Sequence, residues 1–203
     1  LLPLLLTACA PAARRDAPHA HPTIVSLNPC TDAVLAEVAD PAQILAISHY
    51  SADPEASSLG VDQARRFRTV SGSVEEVLAL RPDIIVGDRF IAPATSRAFE
   101  RLGLRLERFP IHASVEGSEA QVLRLATLAG HPERGEALVR RMRAALAAAA
   151  PPPGAAPVPA VVWQAGGMVP GEGTLIADLL RRTGFAQLSA VRGLRQGEIL
   201  PLE

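Results

Sequence analysis

Short runs rich in β-branched residues alternate with amphipathic stretches along most of this chain. The runs fall at residues 23–27, 44–47, 83–87, 104–109 and 160–164. Parallel strands need crossover connections, which are usually helices, so this alternation predicts parallel sheet flanked by helices rather than a β-sandwich. The expected fold class is therefore α/β, and 203 residues suffice for one large domain or two small lobes.

Local signals place the helices between these strands. Asn28 is a good N-cap and Pro29 suits the first helical position, so a helix is predicted directly after the first strand. Ser73 and Glu76 form the S-x-x-E pattern of a capping box, and Pro82 ends the helix that they open.

The pattern is helical for much longer between residues 114 and 150, with one break at Gly130-His131-Pro132. The stretch PPPGAAPVP that follows cannot continue a helix and indicates a boundary between lobes. Beyond it we expect a strand, a glycine-rich loop and a helix closed by Gly184. We predict a first lobe at 23–130, an interlobe helix at 131–150 and a second lobe at 151–203. The second lobe is too short to bury a good core alone, so we expect it to be partial.

The N-terminus combines a leucine run, a cysteine and a polar segment. The run has about half of the ~20 apolar residues that a membrane-spanning helix needs. Residues 10–22 lack the apolar periodicity of a folded element. Leu6-Thr7-Ala8-Cys9 resembles the lipobox of a bacterial lipoprotein signal. This resemblance implies a signal remnant at 1–8, a lipid on the Cys9 sulfur and a flexible tether at 9–22; an ordinary apolar N-terminus is the alternative.

Composition argues against several classes of function. The net charge of -1 provides no strong field for nucleic acid or for an anionic membrane surface. Cys9 and Cys30 are the only cysteines, so the sequence has no disulfide framework. No G-x-G-x-x-G follows the first strand, and G-x-S-x-G is missing, which argues against a doubly wound enzyme. His19 and His21 form an H-x-H pair in the tether, a weak metal-binding motif, and the five histidines show no converging metal site.

Polar groups and single aromatic rings follow the predicted strands at their carboxyl ends, where ligands bind in open parallel sheets. A cleft there, between two lobes, would enclose a small molecule. Cys30 lies near a helix N-terminus, which would lower its thiol pKa; a buried, inert side chain is the alternative. We identify no catalytic pair and assign no metal site. The candidate ligand-binding residues are Asn28, Cys30, His49, Tyr50, Asp88, Arg89, Phe90, Trp163, Gly166 and Gly167.

Four segments carry a family resemblance in this order: TIVSLNPCTD, ILAISHYSADPEA, SVEEVLALRPDIIV and, after the long helix, AVVWQAGG. Over about residues 23–203 the chain resembles the periplasmic binding proteins for cobalamin and ferric siderophores. The resemblance implies two Rossmann-like lobes with parallel sheets, joined by one long helix, with the ligand between them. It also implies a carrier rather than an enzyme, without a cofactor, in the periplasm or cell envelope. Such a carrier delivers its ligand to the permease dimer of an ABC importer.

Within this family, ISHYSADPEA is similar to the cobalamin-binding members, in which a tyrosine at the position of Tyr50 contacts the corrin ring. This similarity implies a corrinoid ligand. Heme and ferric siderophores stay open, because an aromatic residue that the cobalamin binders carry before the helix of Ser73 is not evident in RTVSG. His49 could ligate the metal of a corrinoid or heme, and Arg89 could pair with a ligand carboxylate.

The resemblance also implies a docking surface for the permease. Family members present one exposed acid per lobe, each near the start of a helix, and these positions map onto Glu75 and Glu203. Glu76 is used by the expected capping box, which leaves Glu75 free for such a role. The lipid on Cys9 would be the protein's only contact with the membrane.

Overall fold

A five-stranded sheet forms the centre of the structure, a computed structural model that describes residues 20–195 and 197–199. Its strands are β1 (Ile24–Ser26), β2 (Ile44–Ser48), β3 (Thr69–Val70), β4 (Ile84–Gly87) and β5 (Leu106–Arg108). Their order is β3-β2-β1-β4-β5, and every neighbouring pair is parallel. The α/β class with parallel sheet is therefore confirmed. The first four predicted strands correspond to β1, β2, β4 and β5, whereas the two-residue β3 was not predicted.

Helices connect these strands and continue beyond the sheet. They are α1 (Pro29–Val38), α2 (Val61–Ala64), α3 (Val74–Leu80), α4 (Pro93–Arg101), α5 (Val115–Ala129), α6 (Pro132–Ala148), α7 (Leu175–Arg182) and α8 (Leu188–Val191). Short 3-10 turns lie at Pro41–Gln43, His49–Ala52 and Ala165–Gly167. Among the described residues, no helix has both the length and the apolar character needed to cross a bilayer.

The direction of strand addition reverses between β1 and β4. From β1 the chain adds β2 and then β3 on one side, and it returns to add β4 and β5 on the other side. β1 and β4 are in register as parallel neighbours, with Ser26 opposite Val86 at their carboxyl ends. Loops that leave the two strands diverge there, so the fold has its topological switch point at this place.

Apolar side chains alternate between the two faces of the sheet, so each face has its own core. Ile24 of β1 belongs to a cluster with Leu35 of α1 and Leu125 of α5. The next residue, Val25, belongs to a second cluster with Val77 of α3 and Phe99 of α4. This alternation follows from the two-residue period of a strand, and it places helices on both faces of the sheet.

The predicted helix starts are confirmed, with one change in the capping box. Asn28 accepts hydrogen bonds from the backbone of Cys30 and Thr31 at the start of α1, with Pro29 at the first helical position. Ser73 Oγ accepts from the Glu76 backbone N–H at the start of α3. However, Glu76 Oε2 accepts from the backbone N–H and hydroxyl of Ser71 rather than from the Ser73 backbone N–H. The carboxylate therefore holds the segment before the helix.

The predicted strand at 160–164 lies earlier in the structure, as β6 (Val158–Ala160). β6 pairs in parallel with β8 (Phe185–Gln187), and Ala160 is opposite Gln187, the last residue of β8. Beyond Ala160 the pairing ends because β8 turns into α8, and the Val162 N–H donates to the Gln187 side chain instead. A separate antiparallel pair joins β7 (Met168–Val169) and β9 (Glu198–Ile199).

Two long helices pack against each other after the central sheet. α5 and α6 are separated by Gly130, which ends α5 in a left-handed conformation with φ of 85°, and by His131. Arg143 of α6 donates to both carboxylate oxygens of Glu119, which is buried on α5. α6 covers most of the predicted interlobe helix, while the division into lobes with their boundaries stays a prediction.

Candidate functional site

Asn28 and Asp88 meet at the topological switch point, just beyond the carboxyl ends of β1 and β4. Asn28 Nδ2 donates a hydrogen bond to Asp88 Oδ2, while Asn28 Oδ1 accepts from the Cys30 N–H at 2.8 Å. The other carboxylate oxygen, Asp88 Oδ1, accepts from the Phe90 N–H at 2.7 Å. The two side chains thus join the loop after β1 to the loop after β4. Ligands of open α/β sheets bind at such a position.

A pocket of about 420 Å³ opens beside this pair. The rings of Tyr50 and Phe90 line it, and they are the most exposed aromatic rings of the described residues, with 56% and 66% of their surface accessible. Large exposed rings at a site are a common means of contacting a flat ligand. The other lining residues are Leu27, Pro29, Ser71, Gly72, Ile91, Ala92 and Thr95.

Asp32 of α1 holds the turn that carries His49 and Tyr50. Its Oδ2 accepts hydrogen bonds from the Ser48 N–H at 2.9 Å and from the Ser51 hydroxyl at 2.6 Å, on either side of the two rings. Asp32 is fully buried, and its Oδ1 has no hydrogen-bond partner in the described part of the chain. Burial raises the pKa of Asp32 to about 7, although these hydrogen bonds and the nearby Ser26 hydroxyl act to lower it.

Asp32 was not among the residues predicted from the sequence. Its position in the first turn of a helix is common for an acid that favours the helix dipole, so nothing in the sequence marked it as buried.

A second, more apolar groove of about 510 Å³ lies on the other side of the switch point. Asn28 and Asp88 line both cavities, so the two form one site with a shared polar centre. The groove runs between α1, α5, α6 and the segment after β5. Its apolar walls include Val34, Phe109, Ile111, Leu138 and Met142.

Cys30 lines this groove as an exposed, free thiol. The alternative of a buried side chain is therefore wrong. The expectation of a lowered thiol pKa is also wrong, because partial loss of solvation and then the negative charges of Asp88 and Asp32 raise the pKa of Cys30. Loss of solvation is the largest of these effects, and it disfavours the charged thiolate.

His49 and Arg89 accompany the two exposed rings without lining either cavity. The His49 ring lies 4.1 Å from the Tyr50 ring between centroids, and its Nδ1 is 3.3 Å from the Val70 carbonyl oxygen. The Arg89 guanidinium carbon lies 5.2 Å from the centroid of the Phe90 ring.

The structure does not bring the predicted residues after β6 to this site. Trp163 is 46% exposed, Gly166 is exposed and Gly167 is half-buried, and the linings of the two cavities contain none of the three. Their role as ligand-binding residues therefore stays a prediction.

The predicted docking and anchoring residues lie away from the cavities or outside the described residues. Glu75 is exposed in the first turn of α3. Glu203 and Cys9 lie outside the described residues, as does His19.

Comparison with known proteins identifies the family. The model of the periplasmic binding protein family matches residues 24–203, so the chain belongs to this family. Its members are solute-binding proteins of transport systems, not enzymes, and membership implies a periplasmic location. The resemblance noted in the sequence is thereby confirmed at the level of the family. A search of curated proteins found no match.

Solved structures of low sequence identity share the fold. The periplasmic heme-binding protein RhuT from Roseiflexus sp. RS-1 is 20% identical, with a TM-score of 0.72 over 89% of this chain and 70% of that chain. The periplasmic vitamin B12 binding protein BtuF of Vibrio cholerae is 16% identical, with a TM-score of 0.66 over 90% and 71%. A periplasmic heme binding protein from Pseudomonas aeruginosa is 24% identical, with a TM-score of 0.65 over 89% and 66%.

Proposed function

We propose that this protein is the substrate-binding component of an ABC importer and captures a flat metal chelate, a corrinoid in the first place, at the site around Asn28 and Asp88. The observation that carries the proposal is the pair of exposed rings, Tyr50 and Phe90, on one pocket at the topological switch point. Soluble proteins rarely leave two large rings exposed at a concave site unless they contact a ligand.

The two cavities suit different parts of such a ligand. The apolar groove would take part of a macrocycle, and the rings of Tyr50 and Phe90 would lie against a ring face. The amide of Asn28 and the carboxylate of Asp88 offer polar groups at the centre, as small-molecule sites usually do. Proteins of the same fold that bind vitamin B12 and heme support this class of ligand.

Heme is the second candidate ligand, and Arg89 favours it. Its guanidinium carbon lies 5.2 Å from the centroid of the Phe90 ring, which lines the pocket, and the guanidinium could pair with a propionate of heme bound there. Arg89→Ala would then weaken binding of hemin while leaving cyanocobalamin unaffected, because cyanocobalamin carries no free propionate. If Arg89→Ala instead weakened the binding of cyanocobalamin and left that of hemin unaffected, this role for Arg89 would be excluded.

To deliver the ligand, the carrier would dock on the permease through the two acidic residues that the family resemblance implies. Glu75 would face an arginine of the permease, and Glu203 would do so in the second lobe. A lipid on Cys9 would keep the carrier close to the membrane, although more than one acyl chain is needed for stable anchoring.

A ligand titration tests the proposed site. The purified chain is titrated with cyanocobalamin, hemin and a ferric hydroxamate while the fluorescence of Trp163, its single tryptophan, is followed. The exposed 56% of Tyr50 corresponds to roughly 110 Å². If the ligand covers half of that surface, Tyr50→Ala removes about 1.4 kcal/mol, which is a tenfold weaker binding.

Phe185→Ala is the matched control, because this ring is 40% exposed on β8 and lines neither cavity. It should bind the ligand as tightly as the parent protein. If none of the three compounds changes the fluorescence, the proposed ligand class is refuted. Equal binding by the parent protein and Tyr50→Ala would refute the site.

A further inference from the structure

Three potential metal ligands meet at the amino-terminal edge of the central sheet, opposite the candidate cleft. His21 lies shortly before β1, Asp40 lies between α1 and β2, and His131 lies between α5 and α6. One ligand atom from each side chain is within 4.8 Å of the other two. Two imidazole nitrogens and a carboxylate oxygen are a typical donor set for Zn²⁺ and related divalent transition metals.

His131 is buried, and its neighbours set its orientation. Gln43 donates through its amide nitrogen to the carbonyl oxygens of Pro22 and Ala129, so its Oε1 faces His131 and accepts from Nε2 at 2.8 Å. The same Nε2 lies 3.4 Å from Asp40 Oδ2. Two ligand atoms on one tetrahedral zinc ion, with bonds of ~2.0–2.1 Å, are ~3.4 Å apart. The spacing of this pair therefore already suits a shared ion.

Asp40 has one oxygen available for a metal. Arg134 Nη2 lies 2.8 Å from Asp40 Oδ1, which leaves Oδ2 on the side of His131. The hydrogen bond from Arg134 lowers the pKa of Asp40. The carboxylate is therefore ionised at neutral pH, which is the form that binds metals.

His21 reaches the cluster because residue 130 is glycine. Its ring lies 4.2 Å from the His131 ring between centroids, tilted by 46°. A Cβ on Gly130 would lie 2.3 Å from His21 Nδ1, so any other residue would push this ring away. His21 and Asp40 are only half-buried, which gives an ion a path from solvent.

We propose that His21, Asp40 and His131 form a binding site for a divalent transition metal ion, with Zn²⁺ as the best match. The fourth position falls to water, since Gln43 Oε1 already accepts a hydrogen bond from the Asp40 N–H at 2.9 Å. Metal bound at His131 Nε2 takes the place of the hydrogen that now bonds Gln43, and the neutral imidazole then carries this hydrogen on Nδ1. The ion joins the segment before β1 to the junction of α5 and α6. Because the cluster is at the opposite edge of the sheet from Asn28 and Asp88, metal binding is independent of the cleft.

Zinc titration of the whole, tag-free chain tests this site. Metal-free protein is titrated with zinc chloride by calorimetry and by competition with a chromogenic chelator, and one ion per chain is expected. His21→Ala and Asp40→Asn should each weaken binding at least tenfold, because even outer-sphere partners of a metal contribute 10–100-fold (~1.4–2.7 kcal/mol). His112→Ala is the control, since this half-buried histidine lies at the other edge of the sheet. It should bind zinc as the parent protein does.

Thermal unfolding provides a second readout. Zinc should raise the Tm of the parent protein and of His112→Ala, but not that of His21→Ala. The proposal fails if no ion binds per chain, or if His112→Ala loses binding as His21→Ala does. It also fails if His19→Ala abolishes binding while Asp40→Asn retains it, because the tether histidines alone would then hold the ion.

Discussion

Replacing Asp32 with asparagine should make the protein more stable at pH 8 and remove a pH dependence that the parent protein shows. Asparagine can still accept from the Ser48 N–H and the Ser51 hydroxyl through its side-chain oxygen. It carries no charge, so it avoids the cost of a buried carboxylate. The turn that presents Tyr50 should therefore keep its position.

The magnitude follows from the pKa of about 7 in the folded protein against an ordinary value of 3.8. Between these values the folded protein binds the proton and the unfolded chain does not. The contribution of Asp32 to the stability of the parent protein is therefore most favourable at low pH, falls by about 1.36 kcal/mol per pH unit and levels off above pH 7. Between pH 5 and pH 8 the loss is roughly 2.5 kcal/mol, and Asp32→Asn does not share it.

The asparagine NH₂ group takes the place of Oδ1, which has no partner among the described residues. Leaving this group unpaired costs about 1–3 kcal/mol at every pH. The free energy of unfolding of the variant, relative to that of the parent protein, should therefore rise by roughly 2.5 kcal/mol from pH 5 to pH 8. This change does not depend on the cost of the unpaired group, because that cost is the same at both pH values.

Urea unfolding at pH 5 and pH 8 measures this difference, and the contributions of other titrating groups cancel between the two proteins. Asp62→Asn is the control, because its side chain is 99% exposed and its pH dependence should match that of the parent protein. A free-energy difference between Asp32→Asn and the parent that is the same at both pH values would refute the reasoning. It would mean that Asp32 stays ionised inside the protein.

Two further changes test an ion-pair cluster and the docking surface. Asp178→Ala should lower the free energy of unfolding by about 2–4 kcal/mol, because the buried carboxylate accepts from the Val115 N–H at the start of α5 and pairs with partly exposed arginines of α7. Urea unfolding measures this loss. A loss below about 0.5 kcal/mol, as expected for an exposed pair, would contradict the prediction. Glu75→Arg should abolish uptake in vesicles containing the permease without changing ligand affinity, whereas Glu100→Arg, an exposed charge on α4, should leave both unchanged. Impaired ligand binding by Glu75→Arg would count against a docking role.

Elements whose signals are local were predicted well. Asn28 and Pro29 start α1, Ser73 starts α3, and Gly130 separates two long helices, all as the sequence indicated. Each of these signals acts through a backbone hydrogen bond or a backbone conformation within a few residues, so it is already present in the sequence. The strand expected at 160–164 was displaced because its limits depend on β8, a partner more than twenty residues away.

The candidate site was predicted only in part, because it also depends on contacts between segments that are distant in the chain. Asn28, Tyr50, Asp88 and Phe90 were named because they follow strands, and the parallel sheet brings all four to one edge. Asp32 was missed, because its burial depends on Ser48 and Ser51 folding over it from another segment. The pKa of Cys30 was misjudged, because the sequence alone shows neither the partial loss of solvation at the thiol nor the carboxylates beside it.

The sequence by itself determined the α/β class, the helix starts and the strand ends that supply the polar groups, since periodicity and capping are properties of neighbouring residues. Tertiary structure alone decided that β1 and β4 are adjacent, that Asn28 bonds Asp88 between two cavities, and that His21 meets Asp40 and His131 at the opposite edge. The physical reason is that a sheet places residues side by side that are far apart in the chain. Which of them become neighbours depends on strand order, which no short stretch of sequence encodes.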